Sequence, residues 1–108
     1  MTKSNRLKQL EELLKEDAGS SFLLFAIAKE YESMDDYKHA LEYYHKLTTE
    51  HPEYTGTYYH YADLLMEIGE TEEGFRIYDI GIDICKKGGD QHALAELQNA
   101  RMNWELEL

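Results

Sequence analysis

Histidine is the first residue type in this chain that could carry chemistry, because imidazole binds metals and titrates near neutral pH. His39, His45 and His51 recur every six residues. Six residues turn a helix by about 240°, so these side chains cannot share one face. Glu42 and His45 have the spacing of half a di-iron carboxylate site, but the sequence contains no second Glu-x-x-His. We therefore expect exposed polar residues here, and neither a metal nor a cofactor.

An acid–base pair and a thiol are the other candidates for catalysis. His60 and Asp63 lie three residues apart and could act as a general base and its orienting carboxylate. No nucleophile stands within helical reach, so a hydrogen bond on a surface is the simpler expectation. Cys85 follows a stripe of isoleucines, which favours a small core residue. Phosphate-binding loops and hydrolase motifs are absent from the sequence, which predicts a protein that is not an enzyme.

The charge balance excludes several classes of partner. The 108 residues include 22 Asp and Glu against 11 Lys and Arg, a formal charge of −11. Nucleic acids and anionic membranes are bound through lysine and arginine, so we expect neither as a partner. The longest apolar run, residues 22–28, is far shorter than the roughly 20 residues that span a bilayer. With one cysteine and no apolar leader at the N-terminus, the predicted compartment is a reducing cytoplasm.

The apolar residues of the chain are mostly spaced at helical intervals, which predicts that helices position these residues. A single proline favours long helices. We predict six antiparallel helices: a first over about 3–16 ended by Gly19, a second over about 22–34 capped by Ser20 or Ser21, a third capped by Asp36 and stopped by Pro52, a fourth opened by Thr55 or Thr57 and ended by Gly69, a fifth from Thr71 to Gly88-Gly89, and a sixth capped by Asp90. The predicted buried stripes are Leu7, Leu10, Leu13 and Leu14 on the first helix, and Tyr37, Ala40, Leu41, Tyr44 and Leu47 on the third.

The chain also repeats itself with a period of 34 residues. The matched positions are Leu24, Ile27, Ala28 and Tyr31 with Tyr58, Tyr61, Ala62 and Leu65, and Ala40, Leu41 and Tyr44 with Gly74, Phe75 and Tyr78. Helix breaks match too, since Met34-Asp35 falls on Ile68-Gly69. Period and pattern resemble the tetratricopeptide repeat, W-x2-L-G-x2-Y, then A-x3-F, then P. Pro52 holds the proline position of the first repeat and Lys86 that of the second. A plain helical bundle is the alternative.

The resemblance implies an all-α fold of antiparallel helix-turn-helix pairs, stacked as a short right-handed superhelix of about six helices. It implies one domain over 1–108, divided into an N-terminal half-repeat helix (1–19), repeat one (21–54), repeat two (55–88) and a C-terminal capping helix (89–108). Small residues would let paired helices approach closely, at Ala28, Ala40, Ala62 and Gly74. Large ones would fill the space between pairs, at Tyr31, Tyr44 and Tyr78.

In this family the first helix of each pair lines a concave surface that commonly binds peptides or partner helices. The motif leaves one face of two such helices free, with Phe22, Phe25, Lys29 and Glu32 on the second helix, and Gly56, Tyr59, His60, Asp63 and Met66 on the fourth. Among these we expect Phe25 and Tyr59 to be exposed anchors, whereas Phe22 could equally pack against the first helix.

Some family members hold chaperone C-termini with a clamp of Lys, Asn and Arg on these helices. The matching positions here are Phe25, Lys29 and His60, which do not form that clamp and favour an apolar or basic partner segment. The predicted function is thus a non-enzymatic scaffold that binds a peptide or helix of a protein partner. Self-association as a homo-oligomer is the alternative, because two repeats are fewer than the three usually needed for stability. An exposed Trp104 and Leu106 could then complete a core across a dimer.

Overall fold

The computed structural model describes residues 3–108, and the regular secondary structure in that range is helical throughout. The helices are α1 (Asn5–Glu16), α2 (Ser21–Ser33), α3 (Tyr37–Glu50), α4 (Gly56–Glu67), α5 (Thr71–Gly88) and α6 (Gln91–Glu107). They belong to two compact units, Met1–His51 and Pro52–Leu108, called unit 1 and unit 2 below. Each unit contains one helix-turn-helix pair, α2–α3 or α4–α5, and one flanking helix. The all-α prediction and its six helices are confirmed for this range.

Most helix ends follow the predicted signals. Ser20 caps α2, where its hydroxyl accepts from the Leu23 N–H at 3.2 Å. Asp36 caps α3 in the same way. Gly89 ends α5 with φ +74°, a left-handed conformation that costs glycine least. Gly19 is not the end of α1, because α1 stops at Glu16 and Asp17 is its C-cap.

Unit 1 packs α2 against both α1 and α3. The predicted stripe of α3 is buried at Ala40, Tyr44 and Leu47. Leu13 was expected in the core of α1 but is 51% exposed. It stands at the edge of the leucine stripe, about 60° from Leu10, and α1 packs mainly on α2. Tyr37 is also exposed, at 38%, and its hydroxyl donates to Asp35 at the surface.

Unit 2 packs α5 against α4 and α6, and α6 also contacts α4. Glycine allows α5 to approach α4 and α6 closely. A Cβ on Gly81 would lie 2.6 Å from the Tyr58 Cβ and 3.1 Å from the Leu97 Cδ1. A Cβ on Gly74 would collide with the Met66 side chain. The three helices therefore pack at distances that an alanine at either glycine would disturb.

Buried tyrosines and the cysteine agree with the sequence-based expectations. Tyr31, Tyr44 and Tyr78 lie in the cores of their units, as the repeat pattern predicts. Cys85 is fully buried, and burial raises the pKa of its thiol. The cysteine is a core residue, as predicted.

Within residues 3–108, no helix combines the length and the apolar character needed to cross a membrane.

Candidate functional site

The predicted face of α2 in unit 1 carries one exposed aromatic residue. Phe22 is 69% exposed in the first turn of the helix. Phe25 is half-buried, and its ring centroid lies 6.4 Å from that of Tyr44 on α3. The expectation that Phe25 is the exposed anchor is therefore wrong. One turn further along α2, its ring packs toward α3, and Phe22 is left at the surface.

The charged residues on the same face of α2 pair with each other. The Lys29 Nζ lies 3.8 Å from Glu32 Oε2. The other oxygen of Glu32 accepts a hydrogen bond from the buried Tyr44 hydroxyl at 2.8 Å. A cation, a carboxylate and a hydroxyl thus form one connected group inside unit 1, so this polar surface already has its partners.

Unit 2 contains a groove along α4 and α6 with a volume of about 360 Å³. The lining residues are Thr55, Gly56, Tyr59 and His60 from the start of α4, and Ala93, Glu96 and Leu97 from α6. Tyr59 is 36% exposed, and its ring meets that of His60 edge-on at 5.4 Å. The small residues Gly56 and Ala93 leave space between the helices, and Tyr59 supplies an aromatic edge beside that space.

Asp90 fixes one end of this groove. It caps α6, where its Oδ1 accepts from the Ala93 N–H at 3.1 Å. Its second oxygen accepts from the Thr55 hydroxyl at 3.0 Å. Thr55 was predicted to cap α4, yet it makes no side-chain cap bond there. Its hydroxyl instead ties the beginning of α4 to the beginning of α6.

Asp63 and Trp104 join the same two helices toward their other ends. The Trp104 indole N–H donates to Asp63 Oδ1 at 3.1 Å, and both side chains are half-buried. The expectation of an exposed Trp104 is therefore wrong. These residues lie 41 positions apart, and α6 departs from the repeat pattern, so no local signal in the sequence could pair them.

Tyr78 and Met66 are two buried side chains of the same unit. Tyr78 is fully buried, and no hydrogen bond of good geometry reaches its hydroxyl. Burial raises the pKa of Tyr78, the Asp63 carboxylate raises it further, and the Trp104 indole lowers it. Met66 was predicted on the open face but is only 5% exposed, and it fills the space above Gly74.

Arg101 anchors α6 on a different side of unit 2. Its guanidinium donates to Asp79 on α5 at 2.7 Å and pairs with Glu105 one turn away. The guanidinium carbon also lies 4.7 Å from the centre of the Phe75 ring. An arginine held between carboxylates and an aromatic face thus already occurs in this unit.

No group of three His, Cys, Asp or Glu side chains in residues 3–108 is arranged to hold a metal ion. His39 lies 2.8 Å from Asp36, and His92 lies 2.9 Å from Glu96, both as helix-surface pairs.

Known proteins resemble the chain in structure more than in sequence. It matches no family model, and no curated protein matches it significantly. Two solved structures of low identity share the fold. One is a Bordetella parapertussis protein with TM-score 0.82 and 20% identity, covering 96% of this chain and 90% of that chain. The other is the type III secretion translocator chaperone SycD of Yersinia enterocolitica, with TM-score 0.80 and 16% identity, covering 94% and 70%.

A tetratricopeptide repeat domain from Salinibacter ruber is more similar in sequence. Its crystal structure is 32% identical with TM-score 0.73, and the match covers 80% of this chain and 96% of that chain. Its solution structure gives TM-score 0.76 at the same identity, covering 80% and 87%. With this identity over nearly the whole of that domain, and with the 34-residue repeat of buried tyrosines and small residues, the chain belongs to the tetratricopeptide repeat family.

Proposed function

We propose that the chain is a non-enzymatic interaction module whose unit 2 binds a peptide or helix of a protein partner along α4 and α6. The observation that carries this proposal is the groove of about 360 Å³ with Tyr59 at its edge. Tyrosine is enriched among the residues that dominate binding energy at interfaces, because it buries a large area with little loss of side-chain entropy. The family of the chain supports the same function.

The charge of unit 2 favours an apolar or basic partner segment. Its sequence contains twelve acidic and four basic residues, a net charge of −8. Glu96 lies in the groove itself and Asp63 lies on the same face of α4 one turn after Tyr59. A basic segment would be attracted by this field, and more strongly at low salt.

The candidate catalytic groups give no support to an enzyme. Burial of Cys85 disfavours its reactive thiolate. The Asp63 carboxylate is already held by the Trp104 indole. The exposed face of α2, with Phe22, Lys29 and Glu32, stays a predicted part of the binding surface, and the cytoplasm stays the predicted compartment. The organisation as one repeat domain with a half-repeat and a cap is likewise our proposal.

Peptide display on the full chain tests the groove. Peptides selected from a random library would be measured for affinity to the wild type and to Tyr59→Ala. We expect Tyr59→Ala to weaken binding by roughly 30-fold, the value of about 2 kcal/mol that marks an interface hot spot. Phe25→Ala is unsuitable for this purpose, because that ring packs against Tyr44.

Tyr37→Ala is the matched control, since Tyr37 is as exposed as Tyr59, at 38% against 36%, but lies in unit 1. Phe22→Ala asks whether the face of α2 contributes as well. Selected peptides that bind wild type and Tyr59→Ala equally would rule out the groove as the binding site.

Self-association is the second candidate, and it has one observation in its favour. Met102 and Leu106 stand one turn apart on α6 and are 51% and 80% exposed. Such an apolar stripe could pack on its copy in a dimer. Light scattering at high micromolar concentration tests this candidate. A dimer that Leu106→Glu converts to a monomer would support it, and a wild-type monomer would exclude it.

A further inference from the structure

Asp63 is a carboxylate that has an anchor but no counter-ion. The Trp104 indole holds its Oδ1. No lysine, arginine or histidine forms an ion pair with it in the described range 3–108, where Arg101 on the neighbouring helix pairs with Asp79 and Glu105 instead. Glu67 follows one turn later on α4, and like charges at this spacing destabilise a helix. A bound cation would relieve that repulsion.

Tyr78 is an independent sign that the polar surroundings of Asp63 are incomplete. Its side chain is fully buried, and its hydroxyl has no hydrogen-bond partner of good geometry. Among charged groups the Asp63 carboxylate has the largest effect on this hydroxyl, and Tyr59 also acts on it. The hydroxyl therefore lies within electrostatic range of Asp63 and Tyr59. A buried hydroxyl without a partner destabilises the fold, so the hydrogen bonding in this part of unit 2 is incomplete.

The equivalent positions of unit 1 show what unit 2 lacks. Lys29 and Asp63 are equivalent in the 34-residue repeat, and Glu32 and Met66 are equivalent in the same way. In unit 1 the lysine pairs with Glu32, and Glu32 accepts from the Tyr44 hydroxyl. Unit 2 has a carboxylate where the cation would stand. The missing charge in unit 2 is thus positive.

The aromatic residues around Asp63 suit a cationic side chain. Tyr59 precedes Asp63 by one turn, and Trp104 touches it directly. Cations bind the faces of Trp and Tyr rings, with more energy when they are desolvated. Arg101 is an example within unit 2, because its guanidinium donates to the Asp79 carboxylate and also lies over the Phe75 ring.

We propose that Asp63, Trp104 and Tyr59 form a receptor for one cationic side chain, an arginine or a lysine, of the partner segment bound by unit 2. This inference rests on the proposed function and adds the charge of the partner at a defined position. The carboxylate takes the charge, and the aromatic rings flank it.

The indole N–H resonance of Trp104 provides a direct test, because the chain has one tryptophan. N-acetyl-arginine amide would be titrated into the full chain, and N-acetyl-citrulline amide would serve as the neutral analogue of the same shape. We expect a saturable shift of the indole resonance with the arginine compound and at least a tenfold weaker response with the citrulline compound. Equal responses, or no response, would overturn the receptor.

Asp63→Asn removes the charge and keeps an oxygen that can accept from the indole. We expect it to weaken the arginine response at least tenfold. Asp83→Asn is the matched control, because it changes the net charge of unit 2 equally at an exposed site on α5, where Asp83 pairs with Lys87 at 2.9 Å. Equal losses in both variants would mean that net charge alone attracts the ligand, against our proposal.

The peptides selected on the full chain separate this inference from the proposed function. A basic residue at one fixed position, with affinity lost in Asp63→Asn and kept in Asp83→Asn, supports both. Peptides that need Tyr59 but contain no fixed basic residue contradict the receptor and leave the groove standing. An arginine response that needs Asp63, together with peptides indifferent to Tyr59, contradicts the groove and the part of Tyr59 in the receptor, and it supports binding of the cation by Asp63 and Trp104.

Discussion

Tyr44 and Tyr78 occupy the same position in the two repeats, and their hydroxyl groups meet different surroundings. In unit 1 the Tyr44 hydroxyl donates to Glu32, which also pairs with Lys29. In unit 2 Met66 replaces that carboxylate and packs on Gly74, and the Tyr78 hydroxyl stays without a partner. The same fold thus satisfies the tyrosine hydroxyl in unit 1 and leaves the equivalent hydroxyl in unit 2 without a hydrogen bond. This contrast is one reason why the proposed binding site lies in unit 2.

The flanking helices show a related difference. In unit 1, α1 buries Leu7 and Leu10, while Ser4 and Arg6 contact Glu30 on α2. In unit 2, Leu97 is the one fully buried large side chain of α6 among the described residues. Polar contacts at Asp90, Asp79 and Asp63 position α6 as well. Hydrogen bonds are directional, so they set the position of this groove wall more precisely than leucines alone.

The units also differ in charge. Unit 1 has seven basic and ten acidic residues, and unit 2 has four and twelve. Of the net charge of −11, unit 2 therefore carries −8 and unit 1 carries −3. The Tyr78 hydroxyl, which lacks a partner, and most of the excess negative charge occur in the same unit, which is where a cationic ligand would gain most.

The largest expected effect comes from the tight packing of unit 2. The buried pair Leu24 and Leu47 of unit 1 is replaced by Tyr58 and Gly81 at the equivalent positions of unit 2. We expect Gly81→Ala to lower the free energy of unfolding by about 1–3 kcal/mol, because the new methyl group would press against Tyr58. Urea denaturation followed by circular dichroism measures the change.

Gly88→Ala is the control for that substitution. A Cβ there meets no atom within 4 Å, so alanine should be neutral or stabilise α5 by up to about 1 kcal/mol through its better helix propensity. A Gly81→Ala protein as stable as Gly88→Ala would show that α5 and α4 have room for the added methyl group, and that unit 2 is not packed more tightly than unit 1.

An effect of comparable size separates the two tyrosine hydroxyls. Tyr44→Phe removes a hydrogen bond to a carboxylate and should lower the free energy of unfolding by about 1.5–3 kcal/mol. Tyr78→Phe removes a hydroxyl that has no partner, so the change should be close to zero or stabilising. Thermal and urea unfolding of both variants give the comparison. Similar losses would mean that the Tyr78 hydroxyl is satisfied and that the contrast between the units does not exist.

The smallest effect concerns pH and unit 1. A hydrogen bond to His39 lowers the pKa of Asp36, the cap of α3. Because the folded pKa lies below the unfolded value of about 3.9, the carboxylate stabilises the folded chain above that pH. This contribution is lost as the pH falls through the folded pKa. Asp36→Asn, which keeps a capping side chain, should remove that part of the acid sensitivity.

Amide hydrogen exchange in α3 measures this effect, with α6 of unit 2 as the internal reference. The difference between wild type and Asp36→Asn should be present near pH 6 and should be lost as the pH falls below the unfolded value of about 3.9 and through the lower folded pKa. The effect should be small because the pair is exposed. An unchanged difference across this range would show that His39 does not influence the cap.

Much of the fold could be predicted because its signals are local. Caps such as Ser20, Asp36 and Asp90 act within one turn of the chain. The buried tyrosines follow from a repeat that can be read by aligning the sequence with itself. These features depend on neighbours within a few residues, so the sequence alone predicts them.

The errors concern side chains whose exposure depends on distant partners. Phe25 turns toward α3, Met66 fills the space above Gly74, and Trp104 folds back on Asp63. Each of these side chains packs on a different helix, and the helical period of the sequence does not show which helix that is. Tyr59 and His60 line the groove along α4 and α6, and Asp63 follows Tyr59 by one turn of α4.

The sequence by itself determined six helices, a 34-residue repeat, a family and an acidic surface, because helical period, capping and charge are properties of the chain. Only the tertiary structure decided that α6 lies along α4, that Asp63 is held by an indole 41 residues away, and that Tyr78 has no acceptor. Hydrogen bonds between distant residues form only after the helices have packed, since packing brings donor and acceptor within about 3 Å of each other.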